Sequence, residues 1–305
     1  MNERSILKPI LSILAAEICW GLMSPLGKLA LDAGMSPYTL SFLRMSGAAI
    51  LFWLLSLSAP KTHIRLKDFP LIAIAGLMSI ALNQGTYILG LSLTSPVNGC
   101  IISCTMPIWT MIFAYFILKD AIGLKRFMGI VLGVIGAVVL ILSGANANQG
   151  GGSIYGDLIC IFSQLTVALY LVLFKNFVGR YHIAHLMKWM FFFASLMFLP
   201  FSVEDTIRDL QQGFAPIVWL EALYVVFFGT FIAYLCFVYA QKRLVPQVCS
   251  MFNYCLPVVA MIVSLALELD VFSWVKVGAT LLIFVGVGIV ISSRGSCKVA
   301  QTAKA

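Results

Sequence analysis

The sequence predicts an all-α integral membrane protein with ten transmembrane helices in two inverted five-helix repeats, and three observations carry that expectation. The composition is 61% hydrophobic and 10% charged over 305 residues, with a mean hydropathy of +1.00. That is too apolar for a chain that must wrap a core in a polar shell. The apolar residues also fall into ten stretches of roughly 20 residues, the helix length that crosses a hydrocarbon layer about 30 Å thick. They run over 9–31, 37–57, 69–90, 96–118, 125–143, 155–175, 184–203, 216–239, 246–267 and 273–293. Finally, the chain repeats itself at an offset of 150 residues, placing Pro96 over Pro246, Pro107 over Pro257, Met111 over Met261, Ile112 over Ile262 and Asp120 over Asp270.

Taken in order, the spans pair across the two halves. Span 1 carries Glu17, Trp20, Gly21, Ser24 and Lys28 on one face, since steps of three and four residues return to the same side of a helix. Span 6 repeats the spacing with Gln164, Val167, Ala168, Leu171 and Lys175. Span 2 holds Arg44 in Ser41–Met45, and span 7 holds Lys188 in His185–Trp189. Span 3 offers Asn83, Gln84 and Tyr87, while span 8 offers Thr230 and Tyr234, the latter over Gln84 in the repeat. Spans 5 and 10 bear Gly129, Gly133, Gly136 and Gly278, Gly286, Gly288, a pattern that lets helix backbones approach closely within the protein or, alternatively, across a homodimer contact.

An odd number of spans per half forces the second copy to enter the membrane from the opposite side, so the repeats are inverted. The expected organisation is a first repeat over 1–143, a linker over 144–154, a second repeat over 155–293 and a basic tail over 294–305. The segment 204–213 reads as an acidic outer loop. With the N-terminus in the cytoplasm, fifteen of the 20 Lys and Arg residues fall on that side, which places both termini there. The net charge of +8 therefore reports membrane orientation rather than nucleic-acid binding. The first apolar run is longer than a signal-peptide core and has no A-x-A site, so it is expected to be retained.

Spans 4 and 9 hold the sharpest local signal. Pro107 and Pro257 each lack an amide donor and free a carbonyl four residues back, at Ser103 and Asn253. Both carbonyls lie about 10 Å inside the hydrocarbon if each helix begins near its first proline. Such a break is tolerated where it faces protein or a wet cavity. A simple packing kink is the alternative for each.

The ten inverted spans, the Trp20–Gly21 pair, Arg44 early in span 2, and the proline followed by an acid that closes spans 4 and 9 resemble the drug/metabolite transporter superfamily in its EamA-like ten-helix branch. The similarity covers nearly the whole chain. One departure is Leu118, Lys119 and Asp120, where that family often has Leu-Gly-Glu. The resemblance implies a secondary transporter, an exporter of amino acids or related small metabolites, sitting as a multi-pass protein in a bacterial inner membrane.

Ionisable groups inside a span are functional candidates. Glu17 is the one deeply placed acid, read as a substrate contact or a proton-coupling carboxylate, or else as a structural partner of Arg44 or Lys188. Arg44 and Lys188 are both near enough to a span end to snorkel. Uncharged candidates add Ser103 and Thr105 on span 4, Gln164 and Tyr170 on span 6, and Asn253 and Tyr254 on span 9. Together with the residues of spans 1, 3 and 8 they are expected to line a cavity for a small zwitterionic or mixed-polarity solute. No P-loop pattern and no paired carboxylates occur, and the eight cysteines lack zinc spacing, so no cofactor or metal is expected. Two other readings remain open. An integral-membrane enzyme on lipid-linked substrates would gather reactive groups at one face. An exchanger of nucleotide sugars or phosphorylated metabolites would use Lys28, Arg44, Lys175 and Lys188 in its cavity.

Overall fold

In hydrocarbon every backbone amide and carbonyl must find its partner within the chain, which leaves apolar segments of this length little choice but helix. The computed structural model describes residues 3–60, 63–93, 99, 102–119, 123–145, 154–266 and 274–292. The first half contains α1 (Glu3–Asp32), α2 (Pro37–Leu57), α3 (Leu66–Leu93), α4 (Met106–Leu118) and α5 (Leu124–Ala145). The second contains α6 (Ile154–Leu173), α7 (Ile183–Gln212), α8 (Pro216–Gln241), α9 (Cys255–Ala266) and α10 (Trp274–Ser292). A short helical turn, Pro246–Met251, and a 3-10 turn, Phe252–Tyr254, lead into α9. There is no strand among the described residues. Helices α1, α2, α3, α7 and α8 offer apolar spans of 21 to 30 residues.

The packing obeys a two-fold relation between the halves. α2 lies against α7 and α5 against α10, each helix meeting its own counterpart. α1 packs on α8 and α9, and α6 packs in the same way on α3 and α4. The first helix of each half is thus surrounded by helices of the other half. A Cβ on Gly286 would lie 2.7 Å from the Gly129 carbonyl oxygen and 2.9 Å from the Gly133 nitrogen, so α5 and α10 touch backbone to backbone at these three glycines. Gly278 and Gly288 meet nothing within 4 Å.

Three features were not read from the sequence. α3 and α8 each contain a turn of π-helix, Leu77–Leu82 and Phe227–Ile232, 150 positions apart. α7 does not end near residue 203: it continues through the acidic segment to Gln212, so the expected loop is the end of a 30-residue helix. Lys119 closes α4 with a φ of 54°, the left-handed region that glycine occupies without strain. That accounts for the glycine often found at this place in the family that the chain resembles. Pro96, Cys100, Asp120, Asp270, Cys297, residues 146–153 of the linker and the tail lie outside the described residues.

The connection into the second helix of each half is clasped, on opposite faces of the bundle. Ser36, the N-cap of α2, donates its amide to Asp209 Oδ2 at 2.8 Å and its hydroxyl to Asp205 Oδ2 at 2.7 Å, both from the end of α7. Arg208 Nη2 braces Asp205 at 2.9 Å. At the other face the Tyr181 hydroxyl donates to Asp68, Lys242 donates to the Tyr181 carbonyl, and His185 Nε2 lies 3.1 Å from the Pro60 carbonyl oxygen.

Candidate functional site

The helix breaks converge. A π turn interrupts the regular i to i−4 ladder and leaves a carbonyl to be satisfied by some other donor. In α3 the Ser79 carbonyl accepts from the Tyr234 hydroxyl at 2.8 Å, and at the equivalent place in α8 the Gly229 carbonyl accepts from Trp20 Nε1 at 2.9 Å. Each half therefore caps a break in the other. The proline break of the first half is capped in the same way. The chain turns at Cys104–Thr105 before α4, with Pro107 in the first turn of that helix, and Asn253 Nδ2 donates to the Ser103 carbonyl at 2.6 Å. The carbonyl predicted to be freed at Ser103 is thus capped by its own repeat equivalent, 150 residues away. Pro257 follows in the first turn of α9.

Between these breaks lies a cavity of ≈ 80 Å³, walled by α1, α2, α3, α4, α6, α8, the turn leading into α9 and the first residues of α9. Several predicted residues line it but are already tied to the scaffold. Asn83 Nδ2 donates to the Ser163 carbonyl at 3.0 Å, Gln164 Nε2 to Ser103 Oγ at 3.4 Å, and Tyr170 OH to Gln241 Oε1 at 3.4 Å. Ser24 Oγ and Tyr87 OH share a hydrogen bond of 3.1 Å. Trp20 stacks edge-on with Tyr234, the ring centroids 5.7 Å apart, to form an aromatic wall. Ser79, Met106 and Phe237 also face the cavity and were not singled out from the sequence.

Two lining side chains are left open. Arg44 is 2% exposed, so the snorkelling expected of it does not occur. Its Nε donates to Thr230 Oγ1 at 3.0 Å, within the π turn of α8, and its Nη1 has no partner. Thr230 in turn bonds the Val225 carbonyl at 2.8 Å and stands behind Arg44 rather than in the wall. Gln84, also 2% exposed, makes no hydrogen bond of full geometry with either amide atom, but its side chain lies against the Tyr234 hydroxyl closely enough for a weak bond to it. No acidic side chain lines the cavity among the described residues.

The remaining candidates stand apart. Glu17 is 1% exposed, its Oε2 is unpartnered and its electrostatic neighbours are Cys249, in the short helical turn before α9, and Cys255, the first residue of α9. It forms no ion pair with Arg44 or Lys188 among the described residues. Lys188 instead lies 4.4 Å over the Trp53 ring and donates to Ser56 Oγ at 3.3 Å, because α7 presents it to the end of α2 rather than to α1. Tyr254 is buried behind the cavity, its ring against Gly133. Lys28 pairs with Asp32 at 3.3 Å. Of the four cations considered for a phosphate site, Arg44 alone lines the cavity.

Comparison with known proteins supplies the context for this arrangement. Residues 7–142 and 154–292 each match the family described as the EamA-like transporter family. The chain is 29% identical to the uncharacterized transporter YyaM of Bacillus subtilis over 73% of both chains. It is 24% identical to an uncharacterized transporter of Archaeoglobus fulgidus over 85% of this chain and 90% of that one. A protein crystal structure with 18% identity shares the fold at a TM-score of 0.74, covering 93% of this chain and 98% of the other.

Proposed function

This chain belongs to the EamA-like transporter family, and we propose that it is a secondary active carrier that exports amino acids or related small metabolites by alternating access, coupled to protons through Glu17. The observation that carries this reading is the cavity itself, lined by both halves where their helix breaks meet. An inverted pair of repeats has two equivalent asymmetric arrangements around such a centre, one open to each side. Capped breaks are where a helix bends at least expense, since their carbonyls bond across the half-to-half boundary rather than along the helix. The excess of basic residues on one side supports cytoplasmic termini in a bacterial inner membrane.

The polar groups gather around a centre lined by both halves rather than at one membrane face, which favours a carrier over an enzyme acting on lipid-linked substrates. A single lining cation among the described residues favours small metabolites over nucleotide sugars. Glu17 suits proton coupling because it is the deeply buried acid of a span and has no ion pair among the described residues. The test is a metabolite-pool screen in proteoliposomes with an imposed pH gradient. A solute that crosses only with protein present is the expected result, with Glu17→Gln retaining exchange but losing the response to the gradient. Proton-driven transport that survives Glu17→Gln removes the coupling role.

A further inference from the structure

Arg44 is the one charged side chain that lines the cavity among the described residues, and it is buried with Nη1 unpartnered. A guanidinium held out of water without a counter-charge is strongly unfavourable, and an anion that reaches Nη1 relieves it. Gln84 adds a donor, Nε2, and an acceptor, Oε1, in the same wall, neither in a hydrogen bond of full geometry, with the Tyr234 hydroxyl as a weak competitor. A hydroxyl group satisfies both at once, accepting from Nε2 and donating to Oε1. We propose that the cavity binds small hydroxycarboxylic acids as single anions, with the carboxylate on Arg44 Nη1 and the neighbouring hydroxyl on Gln84. This rests on the carrier reading of the same site and narrows its substrate.

Charge and size set the competitors aside. An α-amino acid brings an ammonium group beside Arg44 into a cavity with no lining carboxylate among the described residues, so the hydroxy acid of the same skeleton fits the field better. The volume of ≈ 80 Å³ is smaller than the ~150 Å³ apolar cavity that holds benzene, which suits acids of about three carbons better than sugar phosphates. A buried amide built to bond a hydroxyl discriminates against an analogue that lacks one, because its own polar atoms are then left unpaired.

The test titrates the full chain in detergent with lactate, propionate, alanine, alaninamide and inorganic phosphate at constant ionic strength, reading the shift in Tm. Lactate is expected to stabilise saturably, propionate about tenfold more weakly, and alaninamide, which lacks the carboxylate, not at all. Arg44→Gln is expected to weaken lactate by tenfold or more, with partial rescue in Arg44→Lys. Gln84→Leu is expected to make lactate and propionate equal, a ratio that keeps the proposal testable even where Arg44 variants fail to fold. No saturable shift with lactate, an equal response to alaninamide, tighter binding of alanine or phosphate, or unchanged binding in Arg44→Gln overturns it. Flux in proteoliposomes separates this from the broader reading. Lactate binding without flux of any solute defeats the carrier and leaves the site, whereas flux restricted to solutes without a carboxylate defeats the site and leaves the carrier.

Discussion

The two clasps sit at equivalent places in inverted halves, yet they are made of different chemistry. At one face two carboxylates from the end of α7 take the amide and hydroxyl of Ser36. At the other, a phenol, a lysine and a histidine hold the Tyr181–His185 turn against Asp68 and Pro60. Both fix the N-cap of the second helix in a half, Ser36 before α2 and His182 before α7. The repeat thus keeps the position of the clasp and lets its residues diverge. α7 is long enough to reach over the α1–α2 turn, while α2 stops at Leu57 and leaves much of the equivalent task to Asp68, just before the main body of α3. In the alternating access proposed above each face opens in turn, and unequal clasps then imply unequal energies for the two openings.

Removing Asp209 is the strongest way to break that comparison. Its carboxylate is buried and holds the Ser36 amide, so Asp209→Ala leaves a buried donor unpaired and is expected to cost about 2 kcal/mol, with Asp209→Asn recovering part of it. Thermal unfolding in detergent measures the loss. A reporter cysteine at the buried Met35 is expected to become more reactive on that face alone. The opposite clasp is expected to be weaker. Tyr181→Phe removes the hydroxyl given to Asp68 and keeps the ring beside Phe177, for a loss of about 1 kcal/mol. Combining variants sharpens the point: Tyr181→Phe with Asp68→Asn should be non-additive, and Tyr181→Phe with Asp209→Asn should add to within about 0.5 kcal/mol. A larger coupling between faces means that they act as one unit and the comparison fails.

These differences also mark where the sequence is silent. Helix number and repeat were legible because hydrocarbon fixes span length and because paired prolines at 107 and 257 survive in greasy surroundings. The π turns were not, since the runs LMSIAL and FFGTFI contain no proline to interrupt a helix. Their trace lies in the distant donors Tyr234 and Trp20, which were read as cavity residues and also serve as caps. Depth along a helix is readable and azimuth between helices is not. Glu17, Arg44 and Lys188 could all be placed in spans, but only packing separates the cavity-facing Arg44 from Glu17 at the α9 side and Lys188 on Trp53. The α7 extension did leave a signal, because Asp205 and Asp209 are four residues apart and share a helical face, as the segment 204–213 read as a loop did not require.

The smallest expected effect is a pH dependence confined to one face. Burial, and then the neighbouring Arg243, lower the Lys242 pKa to about 8. Burial, then Lys242 and His185, hold His182 below the usual histidine range. For both groups the unfolded chain binds more protons than the folded one, so stability rises with pH across each window and is flat beyond it. The lysine window runs from about 8 to the ordinary value of about 10.4. Tyr181 opposes this at its upper end, since burial and the bond to Asp68 raise its pKa and favour the protonated fold as pH climbs past about 10. Lys242 is partly open to water, so the rise is expected to stay under about 1 kcal/mol. Melting curves between about pH 7.5 and 9.5 measure it: wild type and Asp209→Asn should climb together while Lys242→Met stays level. A slope that persists in Lys242→Met places the titrating group elsewhere, and one that vanishes in Asp209→Asn assigns it to the wrong face.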